Sequence, residues 1–159
     1  MPDLIWFIGI DPGMSGGIAA IVNQVGVAYK MPETEHDVAE LLREILPINV
    51  ERPVKAVIER VGAMPKQGVS STFKFGRSYG FLRGLLVAMK IPFEEVSPAV
   101  WQRDLSCRSG GDKNVTKAAA QRLYPNLKIT HATADALLLA TWLERKEQHQ
   151  WNSVGSSSS

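Results

Sequence analysis

Three acidic residues lie at the end of, or within, apolar segments of the sequence. Asp11 closes the apolar run LIWFIGID, after which the chain turns through PG. Glu59 closes the β-branched run VKAVIE, and Asp135 lies early in the apolar segment ADALLLATWL. Because burying a carboxylate costs free energy, such acids persist where they bind a cation or take part in chemistry. Taken alone, Asp11 could instead be a turn acid between two hairpin strands.

A histidine accompanies the third acid. His131 precedes Asp135 by four residues, a spacing that places both side chains on one face of a helix. Three carboxylates and an imidazole, delivered by two strands and a helix, form a ligand set typical of the hard divalent cations Mg2+ and Mn2+. A single helical histidine is also compatible with a structural role, so its assignment depends on its proximity to Asp135.

The pattern of apolar residues predicts the elements that must position these groups. Three consecutive strands joined by short turns precede two strands that are separated by helices. This order indicates an α/β fold in which a mixed sheet is covered by helices on both faces. Ser97 and Pro98 predict the N-cap and first position of a helix. The predicted strands are 4–11, 16–23, 25–30, 54–60 and 92–96, and the predicted helices are 36–46, 70–89, 98–105, 114–123 and 132–147.

The order of these motifs resembles that of RuvC-type Holliday-junction resolvases, over roughly residues 5 to 143. The shared motifs are an IGIDPG strand with a following GG hairpin, an IE strand, a glycine-spaced helix, a short strand leading to an SP helix start, and an ADALLLA helix. The resemblance is closest to the phage or prophage-like branch. It implies an RNase H-like fold with a mixed five-stranded sheet, a homodimer, and cleavage of branched DNA with two Mg2+ ions, or with Mn2+ in their place.

The resemblance also implies roles by position. Asp11, Glu59 and Asp135 fall on the family's carboxylates, and His131 falls on the fourth site, one residue farther from the last acid than in some members. Asp11 would bridge the metals, Glu59 would hold the metal that activates water, and Asp135 would hold the other. His131 would ligate metal or act as an acid or base. Lys113 falls on a functional lysine that would position or stabilise the scissile phosphate; otherwise it is an exposed loop lysine.

The distribution of charge favours a nucleic-acid partner more than the total charge does. The net charge is only +2, but segment 60–128 has 12 Lys and Arg residues against 4 Asp and Glu, so it carries +8 while the remainder carries −6. We expect branched DNA to bind this segment, although a solvated basic face would show the same pattern. The cations expected to contact DNA are Lys66, Lys74, Arg77, Arg83, Arg108, Lys113 and Lys117.

One predicted helix carries glycines at every fourth position. Gly76, Gly80 and Gly84 each cost about 1 kcal/mol of helix stability unless close packing compensates. The resemblance implies that this helix helps to build the homodimer, whose two-fold symmetry suits two symmetric cuts. Alternatively, the glycines let the helix lie close on the sheet.

The loop after Glu59 departs from the family pattern. Many members have, three residues after this acid, a phenylalanine that wedges between DNA bases, whereas this chain has Gly62. Met64, Phe73 and Phe75 are apolar residues that could take its place, although Phe75 fits a core position better.

Length and composition limit the other possibilities. A chain of 159 residues, 45% apolar and 21% charged, suits one domain, predicted over residues 1–150, with a disordered serine-rich tail over 151–159. No apolar stretch is long enough to span a membrane and no signal peptide is recognisable, so we expect a cytoplasmic protein without a membrane partner. The single cysteine, Cys107, excludes an internal disulfide and a thiolate zinc cluster.

Three other functions are compatible with parts of the sequence. A general nuclease for flaps, forks or other branched DNA would use the same acids, and the glycine at position 62 favours it. An ATP-binding fold of the actin and hexokinase type also has an aspartate and glycines in its first hairpin, but this chain is too short for two such domains, so no nucleotide cofactor is expected. A non-catalytic DNA-structure-binding module would not need the three acids together.

Overall fold

The computed structural model describes residues 5–46, 53–62, 66 and 68–156. In these ranges the elements follow the predicted order, and all of them except the last helix begin and end within two residues of the predicted bounds. The elements are β1 (Trp6–Asp11), β2 (Gly17–Val22), β3 (Val25–Lys30), α1 (Glu35–Ile45), β4 (Val54–Glu59), α2 (Val69–Ala88), β5 (Phe93–Val96), α3 (Pro98–Asp104), α4 (Lys113–Leu123) and α5 (His131–Ser156).

The strands form the predicted mixed five-stranded sheet, in the order β3-β2-β1-β4-β5. β2 is antiparallel to β1 and β3, whereas β4 is parallel to β1 and β5. The β1–β4 register pairs Ile10 with Ile58. The next residue of each strand is acidic, so Asp11 and Glu59 lie side by side at one edge of the sheet.

The sheet separates two apolar cores, which confirms the prediction of helices on both faces. On one face, Phe7 and Val57 pack with apolar residues of α3, α4 and α5. The opposite face packs against α1 and α2. Because successive strand residues point to opposite faces, Asp11 and Glu59 follow Phe7 and Val57 onto the α5 face.

Two strand glycines allow α5 to approach the sheet closely. A Cβ atom at Gly9 would lie 2.1 Å from the carbonyl oxygen of Ala136, and one at Gly17 would lie 2.3 Å from that of Ala132. Any side chain at either position would therefore push the helix away. This close approach brings the start of α5, and with it Asp135, to the edge where β1 and β4 end.

The structure differs from the predictions in the glycine-spaced helix. Within the described part of the chain, nothing lies within 4 Å of a Cβ built at Gly76, Gly80 or Gly84. The idea that these glycines let the helix lie close on the sheet is therefore wrong. α2 instead packs on the sheet through Leu82 and Leu86, which are its buried residues.

A second difference concerns the end of the chain. α5 continues to Ser156, nine residues past its predicted end, so residues 151–156 are helical where a disordered tail was predicted. Extending an existing helix avoids the cost of nucleation, so even polar, exposed residues can continue it. Residues 157–159 lie outside the described ranges. No helix in those ranges is long and apolar enough to cross a membrane.

Candidate active site

The three predicted acids are buried and close enough to influence one another's charge. Asp11, Glu59 and Asp135 are 6%, 8% and 6% exposed, respectively. Burial, followed by the negative charges of Glu59 and Asp135, raises the pKa of Asp11 to about 7, and the positive charge of Lys113 opposes this shift. The site therefore concentrates negative charge where water is scarce, an arrangement that a bound cation would stabilise.

Glu59 has a hydrogen-bond donor of its own. The indole Nε1 of Trp101 donates to Glu59 Oε2 at 2.7 Å. Burial and the charge of Asp135 raise the pKa of Glu59, while the indole and Lys113 oppose that rise. Trp101 lies on α3, which begins immediately after β5, the strand paired with the end of β4.

Asp135 has one paired and one unpaired oxygen. Its Oδ2 atom lies 3.3 Å from Lys113 Nζ, whereas its Oδ1 atom is buried without a hydrogen-bond partner among the described residues. Buried polar atoms without partners are uncommon, and they often mark the place of an ion or water. Asp135 therefore has a free ligand atom within the acidic cluster.

Lys113 begins α4, directly after the N-cap Asp112, whose side chain accepts a hydrogen bond from Asn114 N. Burial alone would lower the pKa of Lys113, but the charges of Asp135, Asp11 and Glu59 outweigh burial and raise it. The ammonium group thus stays charged beside the acids. It shares with Glu59 and Asp135 a cleft of about 170 Å³, whose other lining residues are Pro98, Gln102, Ser109, Gly111 and Thr116.

The donor chemistry at this edge fits hard divalent cations, which prefer carboxylate oxygens. The unpaired Oδ1 atom of Asp135 and the mutual repulsion around Asp11 fit the same kind of ligand. As the side chains stand, however, no group of three or more His, Cys, Asp or Glu residues in the described ranges forms a ready-made metal cage. The acids are gathered at one edge but do not converge on one point.

His131 is the first residue of α5 and is exposed, while Asp135, four residues later, is buried. The structure thus places His131 one turn from Asp135, as the spacing predicts, and in the described ranges its side chain forms no hydrogen bond or ion pair with the three acids. Its role as a ligand or as an acid or base stays a prediction.

The predicted DNA-binding cations fall into two groups. Arg77 and Arg83 are exposed but pair with acids: Arg77 lies 3.7 Å from Glu35, and Arg83 lies 3.0 Å from Glu95. In the described part of the chain, the other predicted cations outside the active site form no ion pair. These are Lys66, Lys74, Arg108 and Lys117.

The residues considered for a wedge also differ in their exposure. Gly62 is exposed and Met64 lies outside the described residues. Phe75 is half-buried and stacks on Tyr79, with ring centroids 6.2 Å apart, which agrees with a packing role. Phe73, near the start of α2, is 71% exposed. Of Phe73 and Phe75, Phe73 is therefore the one whose side chain is available to contact a ligand.

Comparison with known proteins identifies the fold. No protein-family model matches the sequence, and no curated protein does. The structure of Thermus thermophilus RuvC matches with a TM-score of 0.60 and 16% sequence identity, over 89% of this chain and 96% of the other. T. thermophilus RuvC in complex with Holliday junction substrate matches with a TM-score of 0.59, the same identity and the same coverage. This chain has the RuvC fold. The α/β, RNase H-like fold class is thereby confirmed; the phage branch stays a prediction.

Within this RuvC fold, the sequence interpretation missed Trp101 and Gln102 on α3. Gln102 Oε1 accepts hydrogen bonds from Ser109 N and Ser109 Oγ, both at 3.2 Å, and so fixes the loop that leads to Lys113. One signal was available for Trp101. A buried indole N–H requires an acceptor, and Trp101 lies on a helix that starts beside the end of the strand that carries Glu59. No sequence spacing links Gln102 to Ser109 in advance.

Proposed function

We propose that this protein is a metal-dependent endonuclease that resolves Holliday junctions by paired, symmetric cleavage of two DNA strands. The observation that carries the proposal is that β1, β4 and α5 bring three buried carboxylates, those of Asp11, Glu59 and Asp135, to one edge of the sheet beside Lys113. A fold needs a functional reason to retain such a destabilising arrangement. In a RuvC fold, phosphodiester hydrolysis supplies that reason.

Asp11, Glu59 and Asp135 would hold two Mg2+ ions, with Mn2+ as an alternative. When bound, such ions activate a water molecule and stabilise the leaving 3′ oxygen. Lys113 keeps its positive charge beside Asp135 and would contact the scissile phosphate from the α4 side of the cleft. His131, at the exposed start of α5, would complete the ligands or transfer a proton at the rim of the site.

Branched DNA is the proposed substrate. The basic segment 60–128 begins where the Glu59 strand ends and supplies Lys113 to the acidic cluster. Among the described residues, its cations Lys74 and Arg108 form no ion pair and are available to bind phosphates. T. thermophilus RuvC, which shares the fold, has been captured with Holliday junction substrate. We extend that substrate to this chain as part of the proposal.

A homodimer is the proposed assembly. No described residue covers the face of α2 that carries Gly76, Gly80 and Gly84, and the same face presents exposed Val69 and Val87. A second copy packed on this face would bury these apolar side chains and use the small residues for close approach. Two sites related by a two-fold axis would then meet two like strands of a junction.

The test is nucleotide-resolution mapping of cleavage products from a labelled four-way junction, a flap and a linear duplex, in Mg2+ and in Mn2+. Paired symmetric nicks with 5′-phosphate ends in the junction, absent from Asp11→Asn, are expected. Binding of the junction without cuts in either metal would instead support a non-catalytic DNA-structure-binding module.

A general nuclease for flaps or forks is the second candidate, because the exposed Gly62 stands where a wedge phenylalanine would be expected. The same assay separates the two: equal or faster cleavage of the flap would favour the general nuclease. Phe73→Ala sharpens the distinction, since a selective loss of junction cleavage with unchanged association of the two copies would identify Phe73 as the residue that opens the junction.

A further inference from the structure

Trp101 is fully buried, yet its one polar atom contacts the acidic cluster. The side chain is 0% exposed, and Nε1 donates to Glu59 Oε2 at 2.7 Å. An indole can only donate a hydrogen bond, and a carboxylate is the strongest acceptor a protein offers. The hydrogen bond therefore joins a fully buried core side chain to the carboxylate of a site residue.

The surroundings of Trp101 make it a firm support. It packs in the core formed on the α5 face of the sheet, together with Val57, Val96 and Leu138. Val57 precedes Glu59 by two residues on the same face of β4, and Val96 pairs directly with Glu59. The pairing of β4 with β5 thus fixes the backbone of Glu59, and the hydrogen bond from Trp101 fixes the carboxylate at the far end of its flexible side chain.

We infer that Trp101 is a positioning residue, which holds the Glu59 carboxylate in the orientation in which it binds a divalent cation. This inference rests on the proposed metal-dependent function. The hydrogen bond occupies Oε2 and stops the carboxylate from rotating away from the cluster. Partners that orient metal ligands in this way affect metal affinity about 10- to 100-fold when they are removed.

The chain contains a matched control. Trp142 is also buried in the same core, and its Nε1 donates to a carboxylate oxygen, Asp104 Oδ2, at 2.9 Å. Asp104 is exposed at the end of α3 and lies outside the acidic cluster. Trp101→Phe and Trp142→Phe each remove one buried indole and one indole–carboxylate bond, but only the first touches Glu59.

The decisive measurement is Mn2+ binding to the protein without DNA, followed by the electron paramagnetic resonance signal of free Mn2+ at a fixed pH. We expect Trp101→Phe to bind Mn2+ about 10-fold more weakly than wild type and Trp142→Phe to bind it as wild type does. In junction cleavage, Trp101→Phe should need about 10-fold more Mg2+ for half-maximal rate and should recover near wild-type rate at saturating Mg2+. If Trp101 has only a structural role, both variants should lose stability, and Trp101→Phe should bind Mn2+ as Trp142→Phe does.

The outcomes separate this inference from the function on which it rests. If Asp11→Asn abolishes Mn2+ binding but Trp101→Phe binds as wild type does, the positioning role is wrong and the metal site stands. If wild type and Asp11→Asn bind Mn2+ equally, the proposed metal site is wrong and the positioning role falls with it.

A measurement on the wild-type protein guards against a Trp101→Phe variant that does not fold. With 15N-labelled tryptophan, the indole N–H signal of Trp101 should move when Mg2+ is added, because its acceptor becomes a metal ligand, and the signal of Trp142 should not. The change should be absent in Asp11→Asn. A Trp101 signal that stays fixed while Mg2+ binds would overturn the inference.

Discussion

Glycines on the two sides of the sheet lie in opposite packing environments. On the α5 face, Gly9 and Gly17 are covered so closely that a Cβ would collide with the backbone of α5. On the other face, α2 carries Gly76, Gly80 and Gly84, where an added Cβ would meet nothing within 4 Å among the described residues. The first pair brings a helix to the sheet and so assembles the acidic cluster within one chain. The second set leaves a surface that is uncovered among the described residues and that the proposed homodimer would use.

Gly9→Ala should have the largest effect, because its Cβ would lie 2.1 Å from Ala136 O and 2.6 Å from Ala140 N. Since neither backbone atom can move without shifting α5, we expect the free energy of unfolding to fall by more than about 4 kcal/mol. Denaturant titration measures this loss. A variant that kept wild-type stability would show that α5 does not need to lie so close to β1.

The pH dependence of stability tests whether ionisation of the buried Asp11 on the α5 face destabilises the fold. The pKa of Asp11 is about 7 in the folded chain against an ordinary value of 3.8. A carboxyl with a raised pKa stabilises the fold most below the lower value, and that contribution is lost as pH rises through the higher one. Between pH 4 and pH 8, in EDTA, the loss should reach up to about 4 kcal/mol.

Asp11→Asn isolates this contribution. The variant should match wild type near pH 4 and become progressively more stable than wild type towards pH 8, in denaturant titrations without metal. Added Mg2+ should stabilise wild type more than the variant at the higher pH. A stability difference that did not change with pH would contradict the burial of a charged Asp11 beside Glu59 and Asp135.

Lys113→Ala tests the cationic side of the same cluster. Removal of a positioned donor from a phosphate site costs about 100-fold in rate, or about 2.7 kcal/mol of barrier. We expect that loss for junction cleavage at saturating Mg2+. Lys128→Ala, which removes an exposed lysine outside the cleft, serves as the control. Equal rates for the two variants would remove Lys113 from the site.

The two faces also differ in how far the sequence predicts them. Asp11 and Glu59 were found because an acid that ends an apolar strand is visible in one dimension, and the parallel pairing of β1 and β4 then places both at one edge. The bond from Trp101 to Glu59 spans 42 residues and depends on how α3 leaves β5, so no local pattern predicts it. Glycine spacing in α2 predicted a close approach, but it left open whether the sheet or a second copy would make it.

Gly80→Ala should have the smallest effect on the isolated chain and the opposite sign from Gly9→Ala. An added Cβ meets nothing within 4 Å among the described residues, so better helix propensity should stabilise the monomer by up to about 1 kcal/mol. If a second copy packs on this face, the same methyl group should weaken association, which sedimentation equilibrium would detect. Gly155→Ala, at an equally open helical glycine on α5, should leave association unchanged. A stabilised Gly80→Ala chain that associates as wild type does would place the dimer contact elsewhere and leave the open face of α2 without a partner copy.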